Sequence, residues 1–447
     1  MKKRKLLVFL VSFLPLISYS QGLSLKQCID FARINNGNIK NAEYDVVISQ
    51  KKIDEQLGTM LPQVEANSSY RDNLKLQTTA LPGELMGKPG ETILLKMGTK
   101  HNASASVSLN QKIFDPTFGI AMKVAKITQE QSEQSAKQTE EDIIYNVSTT
   151  YYQTLVIQKQ TEVLKATLDA STKSMASTEL KFKNGMANKV DFDKIRVSCN
   201  NTKSDLQQSE LNYKQSLNTL KYYMGMSVDS IISLSDNSLD VLVQPAETDT
   251  FSLGVENRID YRLQQTNLKL YKMSRKRETS GYLPSLSLNA SYDYTAMRNK
   301  FNFLDKDQKW LNSYGVGLSL KIPIFDGLQR HARIAQSTLN IQKAEETLRM
   351  TEQSIKVDVS NYDIKYRNAV DNIGNEKENI DLAKSVYQNT LLSYQQGISS
   401  SLELIQAESS LREAQNHYFN KLLNLYIARI DLEKSKGQLI EFINNSK

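Results

Sequence analysis

Three stretches in the first half of the chain have counterparts, in the same order, in the second half. "LPQVEANSSY" from Leu61 pairs with "LPSLSLNASY" from Leu283, "SLNQKIFD" from Ser108 with "SLKIPIFD" from Ser319, and "FKNGMANKVDFDKI" from Phe182 with "YQQGISSSLELIQA" from Tyr394. Such self-similarity indicates that one supersecondary unit occurs twice. We therefore predict a first repeat at residues 21–227, a connector at 228–250 and a second repeat at 251–447.

Each repeat contains two segments in which apolar and small polar residues alternate. In "LSLNASYDY", Leu286 and Leu288 alternate with Ser287 and Asn289, and the other segments follow the same pattern. This period of two predicts strands at about 62–78, 101–114, 284–298 and 312–325, with a different environment on each face. A half-buried soluble sheet would alternate in the same way. The Ser, Asn and Gly of the polar faces and the aromatic residues at the segment ends favour a membrane barrel.

Four strands cannot close a barrel, because the smallest bacterial outer-membrane barrels have about eight. An open sheet edge in lipid would leave backbone groups unpaired, at a cost of several kcal/mol for each group. A four-stranded membrane sheet must therefore pair its outer edges with copies of itself. Two, three or four subunits would supply about eight, twelve or sixteen strands.

The helices that follow the strands are unusually long. From Phe118 to Asn184 there is no proline, and the one glycine, Gly119, lies at the start; this run would span roughly 100 Å as a helix. A second run extends from Leu328 to Gln396. Gly185 and Gly397 interrupt the helical pattern, and glycine readily adopts the left-handed conformation that ends a helix. Each repeat is therefore predicted to contain a long helical hairpin with its tip at 185 or 397.

The first twenty residues have the three parts of a secretory signal peptide. A basic start at 2–5 precedes an apolar run at 6–17 and the small residues Ser18 and Ser20, and we expect cleavage after this segment. Its removal lowers the formal net charge from +7 to about +3, which lacks the strong basic excess of a nucleic-acid binder. Cys28 and Cys199 are too few for a disulfide framework, and the sequence does not determine whether they pair.

Residues that could carry out catalysis do not form a recognisable pattern. His101, His331 and His417 are far apart and lack the spacing of metal ligands. "GELMGKPG" from Gly83 lacks the glycine spacing of a phosphate loop and is predicted to be the loop between the first two strands. We predict no enzyme activity, no cofactor and no metal site.

Over essentially all of the chain after the signal peptide, the sequence resembles the TolC-like outer-membrane efflux protein family. The resemblance lies in the duplicated helix–strand–strand–helix–helix order, in "LP" before strands one and three, in "IFD" after strands two and four, and in the two tip glycines. It implies an α+β fold and a homotrimer whose twelve-stranded transmembrane β-barrel continues as a coiled-coil tunnel across the periplasm.

The resemblance also implies partners and a passive role. The tips at Gly185, Met186, Gly397 and Ile398 would dock onto a periplasmic adaptor (membrane fusion) protein, which is joined to an inner-membrane pump of the RND or ABC type. The barrel would be embedded in outer-membrane lipid, and no nucleic acid is involved. Substrates would pass through the tunnel without chemical change.

A periplasmic gate is implied by position. Glu403 matches an aspartate that forms a constriction ring in the family, and Gln406 occupies the site of a second acidic ring. Asp191 and Tyr394 match a link between hairpins. Ser399 replaces the arginine expected near the second tip, so the closed state is expected to be held less firmly.

Efflux of small molecules is the expected function. Type I secretion of polypeptides would use the same architecture, and the sequence does not separate the two. A secreted coiled-coil structural or adhesion protein without a channel is the alternative from another class; it would explain the helices but not the repeated alternating strands.

Overall fold

The computed structural model describes residues 22–87, 89–235, 255–305 and 309–445. The predicted signal peptide and most of the predicted connector, 236–250, lie outside the described residues. Two compact units divide the chain. The sheet unit contains residues 45–133 and 263–348, and the helical unit contains the described residues of 22–44, 134–262 and 349–445.

Within the described part of the sheet unit there are six strands: β1 (Gln63–Asp72), β2 (Gln77–Pro82), β3 (Thr92–Met97), β4 (His101–Phe114), β5 (Ser285–Arg298) and β6 (Leu311–Lys321). Four of them form one antiparallel sheet in the order β1-β4-β5-β6, and β2 pairs with β3 in a separate hairpin. The sheet therefore joins strands from both predicted repeats side by side.

Two predicted strand boundaries were wrong. The first segment ends at Asp72 rather than near 78, and the chain then enters the β2–β3 hairpin, whose tip is a 3-10 turn at Gly83–Met86. This hairpin forms because Gln77–Pro82 and Thr92–Met97 pair in continuous register across a turn that ends in left-handed Gly87, φ 74°. The last segment ends at Lys321 rather than near 325, since Pro323 has no N–H to continue a strand ladder.

The four-stranded sheet is a single layer with two different faces. Its register aligns Val64, Leu109, Ala290 and Val316 on one face and Glu65, Ser108, Ser291 and Gly315 on the other. Every residue of β1 and β6 is exposed. Within the described chain, each of these two strands pairs with a neighbour on one side, so the sheet has two open edges.

Eight α-helices lie in the described ranges: α1 (Leu25–Asn35), α2 (Gly37–Gly58), α3 (Phe118–Lys183), α4 (Lys189–Met224), α5 (Ile259–Ser280), α6 (Gln329–Gln395), α7 (Ser401–Ser435) and α8 (Leu439–Asn445). The two longest, α3 and α6, have 66 and 67 residues. Among the residues described, no helix combines the length and apolarity that a membrane-crossing helix needs.

The helical unit has two main apolar cores. The first gathers residues of α1, α3, α4, α7 and α8, among them Cys28, Val147, Leu220 and Leu439. The second joins α3, α6 and α7 and includes Tyr366 and Leu425. Full burial of a large apolar side chain contributes about 1.5–3 kcal/mol, so these cores supply most of the unit's stability. Both cysteines are buried, Cys28 in α1 and Cys199 in α4.

The two tip turns are built in the same way. Gly185 (φ 75°) donates its N–H to the Phe182 carbonyl at 3.0 Å, and the next residue, Met186, donates to the Lys181 carbonyl at 2.8 Å. Gly397 (φ 79°) and Ile398 repeat this pair of bonds at the end of α6. This is a Schellman ending, which requires a left-handed residue. Three residues after each glycine, Asn188 or Ser400 caps the next helix.

Alanine substitution at two glycines of the second repeat should have opposite effects on stability. A Cβ at Gly397 or at Gly374 would meet open space, so only the backbone conformation distinguishes the two sites. Gly397→Ala should destabilise by about 1 kcal/mol because its φ is positive. Gly374→Ala, in the interior of α6, should stabilise by a similar amount, about 1 kcal/mol. Thermal unfolding of the purified variants measures both, and shifts of the same sign would contradict the assignment of the tip.

Candidate functional site

The tip region comprises the last turns of α3 and α6, the two tip turns and the first turns of α4 and α7. Within the first hairpin, the rings of Phe182 and Phe192 stack with centroids 5.8 Å apart. Between the hairpins, a small apolar cluster buries Ile195, Tyr394 and Leu404. This cluster is much smaller than the two main cores, so polar contacts carry a larger share of the contact between hairpins here.

Tyr394 is held by two side chains of α3. Its hydroxyl lies 2.8 Å from the hydroxyl of the fully buried Thr178, and the tyrosine itself is 8% exposed. The ammonium group of Lys181 lies 5.0 Å from the centre of the ring. The same group donates to the carbonyl oxygens of Tyr394 at 3.2 Å and Gln395 at 3.3 Å. Through these contacts, Tyr394 joins the end of α6 to α3.

Asp191 has a different hydrogen-bond partner from the one expected. It lies in the first turn of α4, where its N–H donates to the Asn188 side chain at 2.7 Å, and its carboxylate accepts a hydrogen bond from the Ser401 hydroxyl. The predicted bond between Asp191 and Tyr394 is not made in the described chain. The reason is geometric: Asp191 faces the start of α7, whereas Tyr394 faces α3.

Glu403 and Gln406 are both exposed on α7. The Glu403 carboxylate accepts the Ser400 N–H at 2.8 Å, while the Ser400 hydroxyl accepts the Glu403 N–H at 3.2 Å. This capping box fixes the start of α7 and orients the carboxylate of Glu403. At the tips themselves, Met186 and Ile398 are 74% and 76% exposed.

A buried carboxylate that sequence reasoning missed lies further along α7. Glu408 is 7% exposed and accepts hydrogen bonds from three hydroxyls: Ser171 of α3 at 2.6 Å, and Ser198 and Thr202 of α4 at 3.2 and 3.4 Å. In the portion of the chain described, no basic side chain forms an ion pair with it. Glu408 thus ties α7 to both helices of the other hairpin.

A signal for Glu408 was present in the sequence. The apolar stripe of α7 contains Leu404, Ala407 and Leu411, and position 408 falls on the same face at helical spacing. A charged residue on such a stripe needs buried polar partners. Burial raises the pKa of the neighbouring Tyr387, and the negative charge of Glu408 raises it further.

Possible metal ligands are not grouped together in the part of the chain that the structure describes. Among its described residues, no group of three or more His, Cys, Asp or Glu side chains is arranged to hold a metal ion.

Residues 28–226 and 254–438 match the family described as outer membrane efflux protein. The chain belongs to that family. It is similar to the outer membrane protein TolC of Vibrio cholerae, with 20% identity over 90% of this chain and 86% of the relative, and to TolC of Escherichia coli, with 21% identity over 98% and 87%. The predicted family and the predicted outer-membrane location are confirmed.

The solved outer membrane channel MtrE of Neisseria gonorrhoeae has a similar fold. Its TM-score is 0.72 at 17% sequence identity, with 93% of this chain and 89% of that chain covered. The mixed helical and stranded fold that the resemblance implied is thereby supported. Membership of the efflux family also weighs against the alternative of a secreted coiled-coil protein without a channel.

Removing the buried carboxylate should destabilise the helical unit. Glu408→Ala deletes a charged acceptor of three hydroxyl groups, so we expect a loss of about 2 kcal/mol in the free energy of unfolding. Glu413→Ala is the matched control, since Glu413 lies on the same helix with its side chain 74% exposed and should change stability by less than about 0.5 kcal/mol. Equal effects of both variants on denaturant unfolding would refute a structural role for Glu408.

Proposed function

We propose that the chain is one subunit of a trimeric outer-membrane channel that passively conducts small molecules out of the cell. The observation that carries this proposal is the four-stranded sheet, a single layer with one apolar face, one polar face and two open edges. Such a sheet suits a wall between lipid and water, provided that its edges are paired.

Pairing of the edges explains why the channel would contain several copies. Each backbone N–H or C=O left unpaired in lipid costs several kcal/mol, which rules out an isolated four-stranded sheet there. Joining β6 of one copy to β1 of the next removes every edge. Three copies give the twelve strands that the family resemblance implies.

Apolar stripes on the helices support the same assembly. In α6, Met350, Val357 and Ile364 are exposed and lie seven residues apart; in α4, Val190, Val197 and Leu211 are exposed at the same spacing or twice it. Exposed apolar residues at heptad spacing are typical of helices that pack against another helix in a coiled coil. In the proposed trimer, these stripes pack against neighbouring copies and the helices form the periplasmic tunnel.

The tips would perform two tasks. Exposed Met186 and Ile398, presented by Gly185 and Gly397, offer apolar contacts to a periplasmic adaptor protein, which connects the channel to an inner-membrane pump of the RND or ABC type. Asp191, Tyr394, Glu403 and Gln406 form the gate. Around a three-fold axis, Glu403 would contribute one acidic ring that attracts cations, whereas neutral Gln406 would not add a second.

Reconstitution in planar lipid bilayers tests the proposal. The purified protein should behave as a trimer in detergent and should conduct ions as discrete channels. A monomer without conductance would contradict it.

Cation block should depend on the carboxylate of Glu403. With Glu403→Gln, the blocking concentration of a multivalent cation added on the tip side should rise about fivefold, equivalent to about 1 kcal/mol of charge attraction. Glu413→Gln, which removes an exposed carboxylate elsewhere on α7, is the control and should leave block unchanged. If both variants retain the cation block of the unmodified protein, Glu403 does not form the ring.

A further inference from the structure

Separation of the two hairpins must break the contacts that join them in the tip region. Besides the small apolar cluster, three polar contacts join the hairpins at or near the tips: those of Thr178 and Lys181 with the end of α6, the hydrogen bond from Ser401 to Asp191, and the hydrogen bonds to buried Glu408. Of these, only the first combines a positive charge, an aromatic ring and the end of a helix. It also involves α3 and α6, the two longest helices.

Lys181 is placed to neutralise the end of α6. The last carbonyl groups of a helix have no partner within it and carry partial negative charge. The Lys181 ammonium group donates to two of them, those of Tyr394 and Gln395, and lies over the tyrosine ring. In the described structure, no carboxylate forms an ion pair with Lys181, so its charge is directed at this helix end.

Thr178 holds the other end of the same tyrosine. It lies one helical turn before Lys181 on the same face of α3, and its hydroxyl is fully buried against the Tyr394 hydroxyl at 2.8 Å. One face of α3 therefore contacts the hydroxyl, the ring and the carbonyl oxygen of Tyr394. All three contacts are lost together if the end of α6 moves away.

We propose that Thr178 and Lys181 form an intrachain latch that keeps the gate closed by holding Tyr394. This inference rests on the proposed channel function and specifies how its gate is regulated. The latch performs the task that the resemblance assigned to Asp191, and it supplies a cation near the second tip, where the sequence has Ser399. Thr178 and Lys181 are positioning residues: they act on the passage through Tyr394 and do not contact the substrate.

Channel recordings of three single variants test the latch. Lys181→Met keeps the apolar stem and removes the charge, Thr178→Val keeps the volume and removes the hydroxyl, and Tyr394→Phe keeps the ring and removes its hydroxyl. The ratio of open to closed channels should rise on the order of tenfold for Lys181→Met and severalfold for the other two. Lys181→Arg should restore closure, because arginine preserves the charge and the contact with the ring.

Two further comparisons separate the latch from a general loss of stability. Lys173→Met is the matched control, since Lys173 lies on the same helix, is exposed and pairs with Asp169 at 2.7 Å; it should leave gating unchanged. Thr178→Val combined with Tyr394→Phe should open the channel no further than either change alone, because both remove the same hydrogen bond.

Each outcome has a defined meaning. If the unmodified protein conducts and Lys181→Met and Thr178→Val both gate like Lys173→Met, the latch is wrong while the channel function stands. If no variant conducts, including the unmodified protein, the channel function itself fails. Should Lys181→Met fail to assemble, Thr178→Val with its conserved volume gives the decisive measurement, and unchanged gating in that variant overturns the latch.

Discussion

The backbone groups along β1 and β6 impose the requirement on which the rest of the molecule depends. A strand edge exposed to water can be hydrated, but an edge exposed to lipid must be paired. The sheet has one apolar and one polar face, and in the proposed trimer the copies pair those edges. Strands from both halves of the chain lie in one sheet, because each half supplies two of its four strands.

The apolar cores that stabilise the helical unit are separate from the small cluster at the tips. The two large apolar cores join α1, α3, α4, α6, α7 and α8 far more extensively than the three buried residues at the tips do. Because apolar burial provides most of the favourable free energy, the tips are the part of the unit most easily separated. Their polar contacts, at Tyr394, Asp191 and Glu408, are directional and can be exchanged for contacts with water. This combination is compatible with the proposed gate, which would have to open without unfolding the helices that carry it.

The tip residues make contacts that their positions in the sequence did not predict. The resemblance implied a link between Asp191 and Tyr394, yet each has another partner in this chain, Ser401 and Thr178 respectively. Lys181 combines a contact with a ring and a contact with a helix end.

Local patterns in the sequence were sufficient to locate the long helices, the tip glycines and all four strands of the main sheet, two of them with a wrong end, because periodicity and glycine conformation act over a few residues. The β2–β3 hairpin was missed because its pairing depends on register between segments that separately resemble loop. Only the tertiary structure placed Glu408 among three hydroxyls and Lys181 against the end of α6. Those contacts join residues more than two hundred positions apart, and their energies depend on which helix faces meet, which no local pattern encodes.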